Sequence, residues 1–407
     1  MNTLLAGALA ASLMCGCITE SPQSEEDTLE PVVVPYGSFV EVTSLKLNCT
    51  ELDLEEGDSF TLQAVVAPED ASDLPVEWTS PDVSVATVSG GIVTATGAGA
   101  TSIIARAGSK SAQCRVNVRN RDFPDNLVPF ADPFILYDNG WYYLYGTASD
   151  EGIPVVMSQD MVHWSTPGGV EMYFALSKDN SYGDYWFWAP EVYKIDGRYY
   201  MYYTAQTRIC VAVADSPLGP FSQLEKAPML NRYSLDNSLF IDSSGKPWLF
   251  FVLGGAGNEI WVAQLEDDYM TIKPETVAFC MKQSQSWETD AVNEGPFVLE
   301  HDGRYYMTYS ANSYENPKYG IGYATASSPA GPWVKYAGNP ILQNVGGLDG
   351  VGHHAFFTDA SGNGRIVFHS HHAPGQIHPR VIHIGSYSFT TDGKLQISED
   401  YFTPAME

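Results

Sequence analysis

One degenerate unit, an apolar strand running into an Asp/Gly turn and then an aromatic strand, occurs five times in the C-terminal two-thirds of this chain. The copies are Asp132-Pro133-Phe134-Ile135-Leu136-Tyr137 before Asp138-Asn139-Gly140-Trp141-Tyr142-Tyr143, Pro190-Glu191-Val192-Tyr193 before Asp196-Gly197-Arg198-Tyr199-Tyr200, and Asp236-Asn237-Ser238-Leu239-Phe240 before Asp242 to Gly245. Glu294-Gly295-Pro296-Phe297-Val298 before Asp302-Gly303-Arg304-Tyr305-Tyr306 and His353-His354-Ala355-Phe356-Phe357 before Asp359 to Gly362 complete the set. A second echo, Asp215-Ser216-Pro217-Leu218-Gly219-Pro220-Phe221 and Ser327-Ser328-Pro329-Ala330-Gly331-Pro332-Trp333, keeps the same register. Hairpins spaced by roughly 45 to 60 residues are blades, each burying its faces only against neighbours around an axis. No stretch carries the 3.6-residue periodicity of a core helix. The expected fold is therefore all-β, with a five-bladed β-propeller over residues 126–407.

Upstream, residues 42–119 alternate in short runs such as Ser59-Phe60-Thr61-Leu62-Gln63-Ala64-Val65, broken by Gly57, Pro68, Pro75, Pro81 and Gly90-Gly91. This is the pattern of a small β-sandwich. Val76-Glu77-Trp78-Thr79-Ser80, Val85-Ala86-Thr87-Val88, Gly91-Ile92-Val93-Thr94-Ala95 and Ala112-Gln113-Cys114-Arg115-Val116 resemble the bacterial immunoglobulin-like group 2 domain. The segment has no cluster of titratable groups and is read as a spacer. Before it, Leu4 to Met14 is an apolar run of signal-peptide length ending at Cys15-Gly16-Cys17, where Cys17 resembles a lipoprotein attachment site. Residues 1–17 are read as a lipoprotein signal peptide and 18–41 as an acidic tether. The expected location is the cell surface or outer membrane of a Gram-negative bacterium, otherwise periplasmic or secreted, with membrane contact only through the lipid.

Of six cysteines, Cys15 and Cys17 belong to the leader, Cys49 and Cys114 lie near the two ends of the sandwich where they could pair, and Cys210 and Cys280 sit in apolar strands as buried thiols. The formal charge of -28 would repel phosphates and so excludes nucleic acid as a partner, while a neutral polysaccharide meets no such field. A monomer is expected.

The opening residue of each hairpin is expected to face the central channel, which would gather Asp132, Glu191, Asp236, Glu294 and His353 at one mouth. Four carboxyl groups converging in a poorly hydrated funnel raise one another's pKa and destabilise a fold, so the cluster reads as a site. Inverting hydrolysis of a glycosidic bond needs such a set: one carboxylate activates water, and a protonated carboxyl donates to the leaving oxygen.

Ala131-Asp132-Pro133, Trp188-Ala189-Pro190-Glu191, the Asp236 strand, Asn293-Glu294-Gly295-Pro296 and Gly352-His353 together resemble glycoside hydrolase family 43 over about Asn126 to Glu407. The resemblance implies an inverting enzyme acting on arabinose- or xylose-containing plant polysaccharides or oligosaccharides. Asp132 matches the general base, Glu294 the general acid, and Asp236 the carboxylate that orients the acid and tunes its pKa. His353 matches a channel histidine that in many members contacts a hydrated calcium or another ion, which implies a structural calcium on the axis. Asn237 departs from the family, which often has Pro there. Trp188 and Glu191 are read as substrate-binding, and Arg380 as a partner of sugar hydroxyls or of a catalytic carboxylate. His369, His371 and His372 have no third zinc ligand set by spacing and are read as packing or hydrogen-bonding side chains. Two alternatives stay open, a galactan-acting glycosidase of the same fold and a non-catalytic carbohydrate-binding propeller.

Overall fold

Asn139-Gly140, Asp196-Gly197 and Asp302-Gly303 all have positive φ at both positions, the backbone of a two-residue type I′ turn whose twist matches the strands it joins. Those turns fix the first hairpin of three blades, pairing Asp138 with Trp141, Ile195 with Arg198 and His301 with Arg304. The other two hairpins use a longer turn in which the Asp242 or Asp359 carboxylate accepts backbone N–H groups two and four residues on. In the computed structural model, residues 41–68, 71, 75–97, 99–119, 126–255 and 257–407 are described. The leader with Cys15 and Cys17 and nearly all of the acidic tether lie outside the described residues.

Five antiparallel sheets follow in chain order, each built outward from an inner strand: Ala131–Asp138, Trp188–Ile195, Ser234–Ile241, Asn293–His301 and Gly352–Thr358. Inner strands of successive sheets pack side by side, and the fifth lies against the first. The C-terminal Ala405–Met406 returns to pair in parallel with His163–Trp164 of blade one. Second strands are covered on both faces, and ten of the 24 tyrosines lie in them. Tyr145, Tyr202, Tyr203 and Tyr309 are wholly buried. Their hydroxyls do not stay unpaired: Tyr145 donates to the Pro217 carbonyl at 2.6 Å, Tyr202 to the Tyr269 carbonyl at 2.6 Å, and Tyr309 to Glu288 Oε1 at 2.8 Å.

The N-terminal region is a sandwich of a four-stranded sheet (Glu51–Glu55, Lys110–Arg119, Gly99–Ala107, Glu77–Thr79) and a three-stranded one (Ser59–Thr61, Ile92–Ala95, Ala86–Ser89). Leu52, Leu54, Val93, Ile103 and Val116 fill the space between them. Cys49 and Cys114 do meet there, as free thiols with their sulfurs 4.0 Å apart, and burial pushes the Cys114 thiol up to about 12. Cys210 and Cys280 are buried in propeller strands.

Blade four contains a buried ion pair. Lys335 Nζ donates to Glu288 Oε1 at 2.5 Å, with the two side chains only 8% and 0% exposed. It also reaches Asn293 Oδ1 at 2.8 Å, next in sequence to Glu294, while the Ser284 and Gln285 amides hold the other Glu288 oxygen. Burial pushes the Glu288 carboxyl up, but Lys335 and the two amides outweigh it and hold it below its usual value. Removing one partner leaves a charge without compensation in low dielectric. Lys335→Met should therefore destabilise the protein by about 3–5 kcal/mol in denaturant unfolding, with much of the loss recovered when Glu288→Leu is added.

Candidate active site

The five inner strands share a local irregularity that sets what faces the channel. Each slips register once against its second strand, between Ala131 and Phe134, Trp188 and Glu191, Leu235 and Ser238, Glu294 and Phe297, and Gly352 and Ala355. Each slip is a β-bulge with one residue in the left-handed region: Asp132 (φ 48), Ala189 (φ 45), Asp236 (φ 54), Gly295 (φ 53) and His353 (φ 40). These five are the structurally equivalent positions. The sequence alignment of Asp132, Glu191, Asp236, Glu294 and His353 is thus in register for three blades only. In blade two the equivalent residue is Ala189, and Glu191 falls two positions later. In blade four it is Gly295, and Glu294 comes one position earlier.

A left-handed bulge leaves its amide outside the ladder, and here the preceding blade supplies the acceptor. The Ala189 amide donates to Thr147 Oγ1 at 2.9 Å, that of Asp236 to Thr204 Oγ1 at 3.0 Å, that of His353 to Ser310 Oγ at 2.9 Å, and that of Asp132 to His369 Nδ1 at 3.2 Å. Blade three has Val252 at the corresponding point of its second strand, facing Leu235 in the ladder, and valine has nothing to offer. The Gly295 amide instead donates to Asp236 Oδ2 at 3.0 Å. Asp236 is held in place because it does in blade three what a hydroxyl does elsewhere.

Asp132, Asp236, Glu294, His353, Trp188 and Arg380 all line one cavity of about 750 Å³. Arg380 donates to Asp132 Oδ1 at 2.7 Å and the Thr147 hydroxyl to Oδ2 at 2.7 Å. Of the two roles open to Arg380, holding a carboxylate is the one its geometry fills. Burial alone would raise Asp132, but Arg380, His353, His369 and Thr147 hold it well below the usual carboxylate range. Burial lowers both imidazoles, so near neutral pH the rings are uncharged and the guanidinium is the lasting cation beside Asp132. An unprotonated His369 Nδ1 is also what accepting the Asp132 amide requires.

Glu294 meets opposite conditions. Tyr319 donates to its Oε1 at 2.9 Å and Asn258 to its Oε2 at 3.0 Å, yet burial outweighs both and pushes the carboxyl up to about 7, with the Asp132 charge adding to the rise. Asp236 is also raised, by burial first and then by Glu294 and Asp132. Asp236 and Glu294 repel as anions, so in neutral solution the pair carries a proton.

Glu191 does not line the cavity. The slip after Trp188 leaves the indole at the mouth and turns Glu191 away from it, to Tyr193 and Ser238, where burial pushes its carboxyl up to about 8. The other histidines disperse: His369 holds the Asp132 amide, and His371 Nε2 bonds the Tyr314 carbonyl at 2.7 Å. Among the described residues no three His, Cys, Asp or Glu side chains converge as a metal-binding group. His353 Nδ1 lies 3.5 Å from Asp132 Oδ1 and 4.0 Å from Asp236 Oδ2. An imidazole between two carboxylates, one of them taken by Arg380, does not fit the six to eight oxygens of a directly ligated calcium. Thr147, Tyr319, Asn258 and Tyr314 were not singled out from the sequence. Of these only Thr147 had a signal there, since Thr204 and Ser310 hold the same place near the ends of their second strands.

A propeller whose axial cavity brings one stabilised carboxylate together with two proton-binding ones has the make-up of a glycosidase. The chain belongs to the glycosyl hydrolases family 43, whose model matches residues 128–395, and the model of the bacterial Ig-like domain (group 2) matches residues 41–118. A solved endo-1,4-β-xylanase from Bacteroides thetaiotaomicron is 43% identical, covers 69% of this chain and 98% of its own, and superposes with a TM-score of 0.66. An endo-arabinase from the same organism is 30% identical over 67% of this chain and all of its own, with a TM-score of 0.54. An α-L-arabinofuranosidase of Humicola insolens is 29% identical over 270 residues, 60% of this chain and 55% of that protein, so the chain spans about half the length of that relative.

The bulge caps are testable one at a time. Thr204 is wholly buried, so Thr204→Val should strand the Asp236 amide and cost about 1–3 kcal/mol in thermal or denaturant unfolding. Thr204→Ser, which keeps the acceptor, should recover most of that loss.

Proposed function

We propose that this glycosidase hydrolyses arabinose- or xylose-containing plant polysaccharides or their oligosaccharides, with inversion at the anomeric carbon. The observation that carries the reading is the opposed state of two carboxyl groups in one cavity, Asp132 held ionised by Arg380 and Glu294 raised to about 7 by burial. The activities for which the relatives are named, xylanase, arabinase and arabinofuranosidase, support the pentose class.

In this mechanism Asp132 takes a proton from a water molecule whose oxygen attacks the anomeric carbon. Glu294 gives its proton to the glycosidic oxygen as that bond breaks on the opposite face of the sugar. The water oxygen ends on the sugar and the leaving group departs as an alcohol. Asp132 then loses a proton to solvent and Glu294 regains one. Arg380 keeps the base anionic, Tyr319 and Asn258 orient the acid, and Asp236 shares its proton equilibrium. Trp188 offers an aromatic face to the sugar. Every step is met by side chains of the chain itself, and none requires an ion. Export and lipid attachment at Cys17 belong to the same proposal, supported by the apolar Leu4–Met14 run and the acidic residues after it. So does a monomer working on polymer outside the cytoplasm.

Substitution separates the two roles. Glu294→Gln should lose natural linkages by about 10²-fold or more while keeping much of its rate on aryl glycosides that depart unprotonated, whereas Asp132→Asn should fail on both. The raised Glu294 carboxyl is protonated below about pH 7, so turnover of natural substrates should fall as pH rises through 7; Asp132, being depressed, sets no limb until well into acid. That basic limb should vanish for Glu294→Gln on aryl glycosides. Proton NMR of the newly released sugar should show the inverted anomer first, and the retained anomer would refute the assignment.

A further inference from the structure

Beside the cavity mouth three aromatic side chains form a stack, of which two, Trp186 and Tyr185, have no part in the reaction described above. Trp188 lines the cavity, Trp186 lies against it with ring centroids 5.3 Å apart and planes 22° from parallel, and Tyr185 meets Trp186 edge-on at 5.0 Å. Trp186 and Tyr185 are 46% and 42% exposed, although Phe187 between the two tryptophans is wholly buried against Tyr203. Sequence alternation alone would put Trp186 and Trp188 on one side of an extended segment and Phe187 on the other. The backbone goes further: Trp186 has φ 59, a left-handed conformation that is costly for a bulky side chain.

That conformation is held from the cavity side. The Trp186 amide donates to Asp150 Oδ1 at 2.7 Å, and Asp150 itself lines the cavity. The Gln206 amide ties down the Tyr185 carbonyl at 3.2 Å. A strained turn, fixed by a carboxylate of the cavity wall, thus leaves two large aromatic rings nearly half exposed, where folding gains less from them than full burial would give. Strain of this kind persists where a ligand gives it a use.

We propose that Tyr185 and Trp186 form a sugar-binding subsite that continues the catalytic cavity outward along Trp188, and that its occupant is a neutral sugar ring flanking the scissile bond in a chain of three or more units. This rests on the pentose reading above. Indole faces bind the C–H faces of sugars, and the platform is continuous with the cavity through Trp188, which belongs to both. Neutrality follows from the surroundings, since Asp150 and Asp184 flank the turn and an anionic sugar would be repelled. The cavity wall selects the ring that reacts, while the platform selects for length.

The test is the ratio of kcat/KM on a linear pentose oligosaccharide of five units to kcat/KM on an aryl pentoside. For Trp186→Ala that ratio should fall about tenfold through a rise in KM on the longer substrate, Trp186→Phe should restore part of it, and Tyr185→Ala should show a smaller fall. Calorimetric titration of the pentasaccharide into Glu294→Gln and into Glu294→Gln/Trp186→Ala should show the same weakening without turnover. An unchanged ratio, or equal losses on both substrates, overturns the subsite and leaves Trp186 a structural residue. If the wild type cleaves no pentoside at all, the pentose reading fails, and the subsite is then decided by binding to a panel of other neutral oligosaccharides: weaker binding by Trp186→Ala upholds it, and equal binding rejects it.

Discussion

The backbone amide of a left-handed residue at the head of each inner strand is the group on which the site depends. A bulge there is what turns the strand's first side chain toward the axis, and an unpaired amide in that setting costs about 1–3 kcal/mol. The chain meets the cost with an acceptor from the blade before, so that the geometry of each axial position is set by its neighbour. Asp132 is placed by His369, Asp236 by Thr204 and His353 by Ser310. The exception completes the pattern, because the Asp236 carboxylate bonds the Gly295 amide where Val252 cannot. One carboxylate is thereby both an axial group and a structural cap, and the strand bearing Glu294 is tied to the strand bearing Asp236.

Electrostatics in the cavity follow from which groups have a fixed cation. Two imidazoles lie near Asp132 and help to lower its carboxyl, but burial lowers both of them in turn, so near neutral pH they add little positive charge. The Arg380 guanidinium bonds Asp132 directly and is the largest influence that keeps its carboxyl low. Glu294 has only the neutral donors Tyr319 and Asn258, worth less than a charge-assisted bond, and its carboxyl rises. Two carboxyls a short distance apart thus end in different protonation states without any difference in side-chain chemistry that matters. The difference lies in a single guanidinium.

The blades were legible because their signals are local. Asn-Gly and Asp-Gly turns carry their own backbone conformation, and apolar and aromatic runs on either side leave few alternatives. The three carboxylates and Arg380 were legible as members of a site. The register at the strand heads was not, because Pro133, Pro190 and Pro296 each follow the bulged residue, yet the eye is drawn to the nearest acid. In blade two that acid is Glu191, two residues too late, and it bonds Tyr193 away from the cavity. Tyr319 and Asn258 could not be found from spacing, since each comes from a loop or strand start far from Glu294 in the chain. His369 could have been read from its place after Phe368, where Tyr203 and Tyr309 precede Thr204 and Ser310.

Five equivalent positions around an axis do not by themselves make a catalyst, which needs an acid and a base that differ. The differences enter where the repeat is broken. Ala189 and Gly295 put little or nothing into the axis, leaving room between Asp132, Asp236 and His353 for a sugar and a water. At Gly295 a Cβ would project to 3.5 Å from the His353 ring, so a longer side chain there would extend into the axis beside it. The acid then comes from the residue before, as Glu294, whose longer side chain reaches the same cavity. A one-residue offset in one blade keeps the proton donor apart from the base, and the repeated fold becomes a site with two sides.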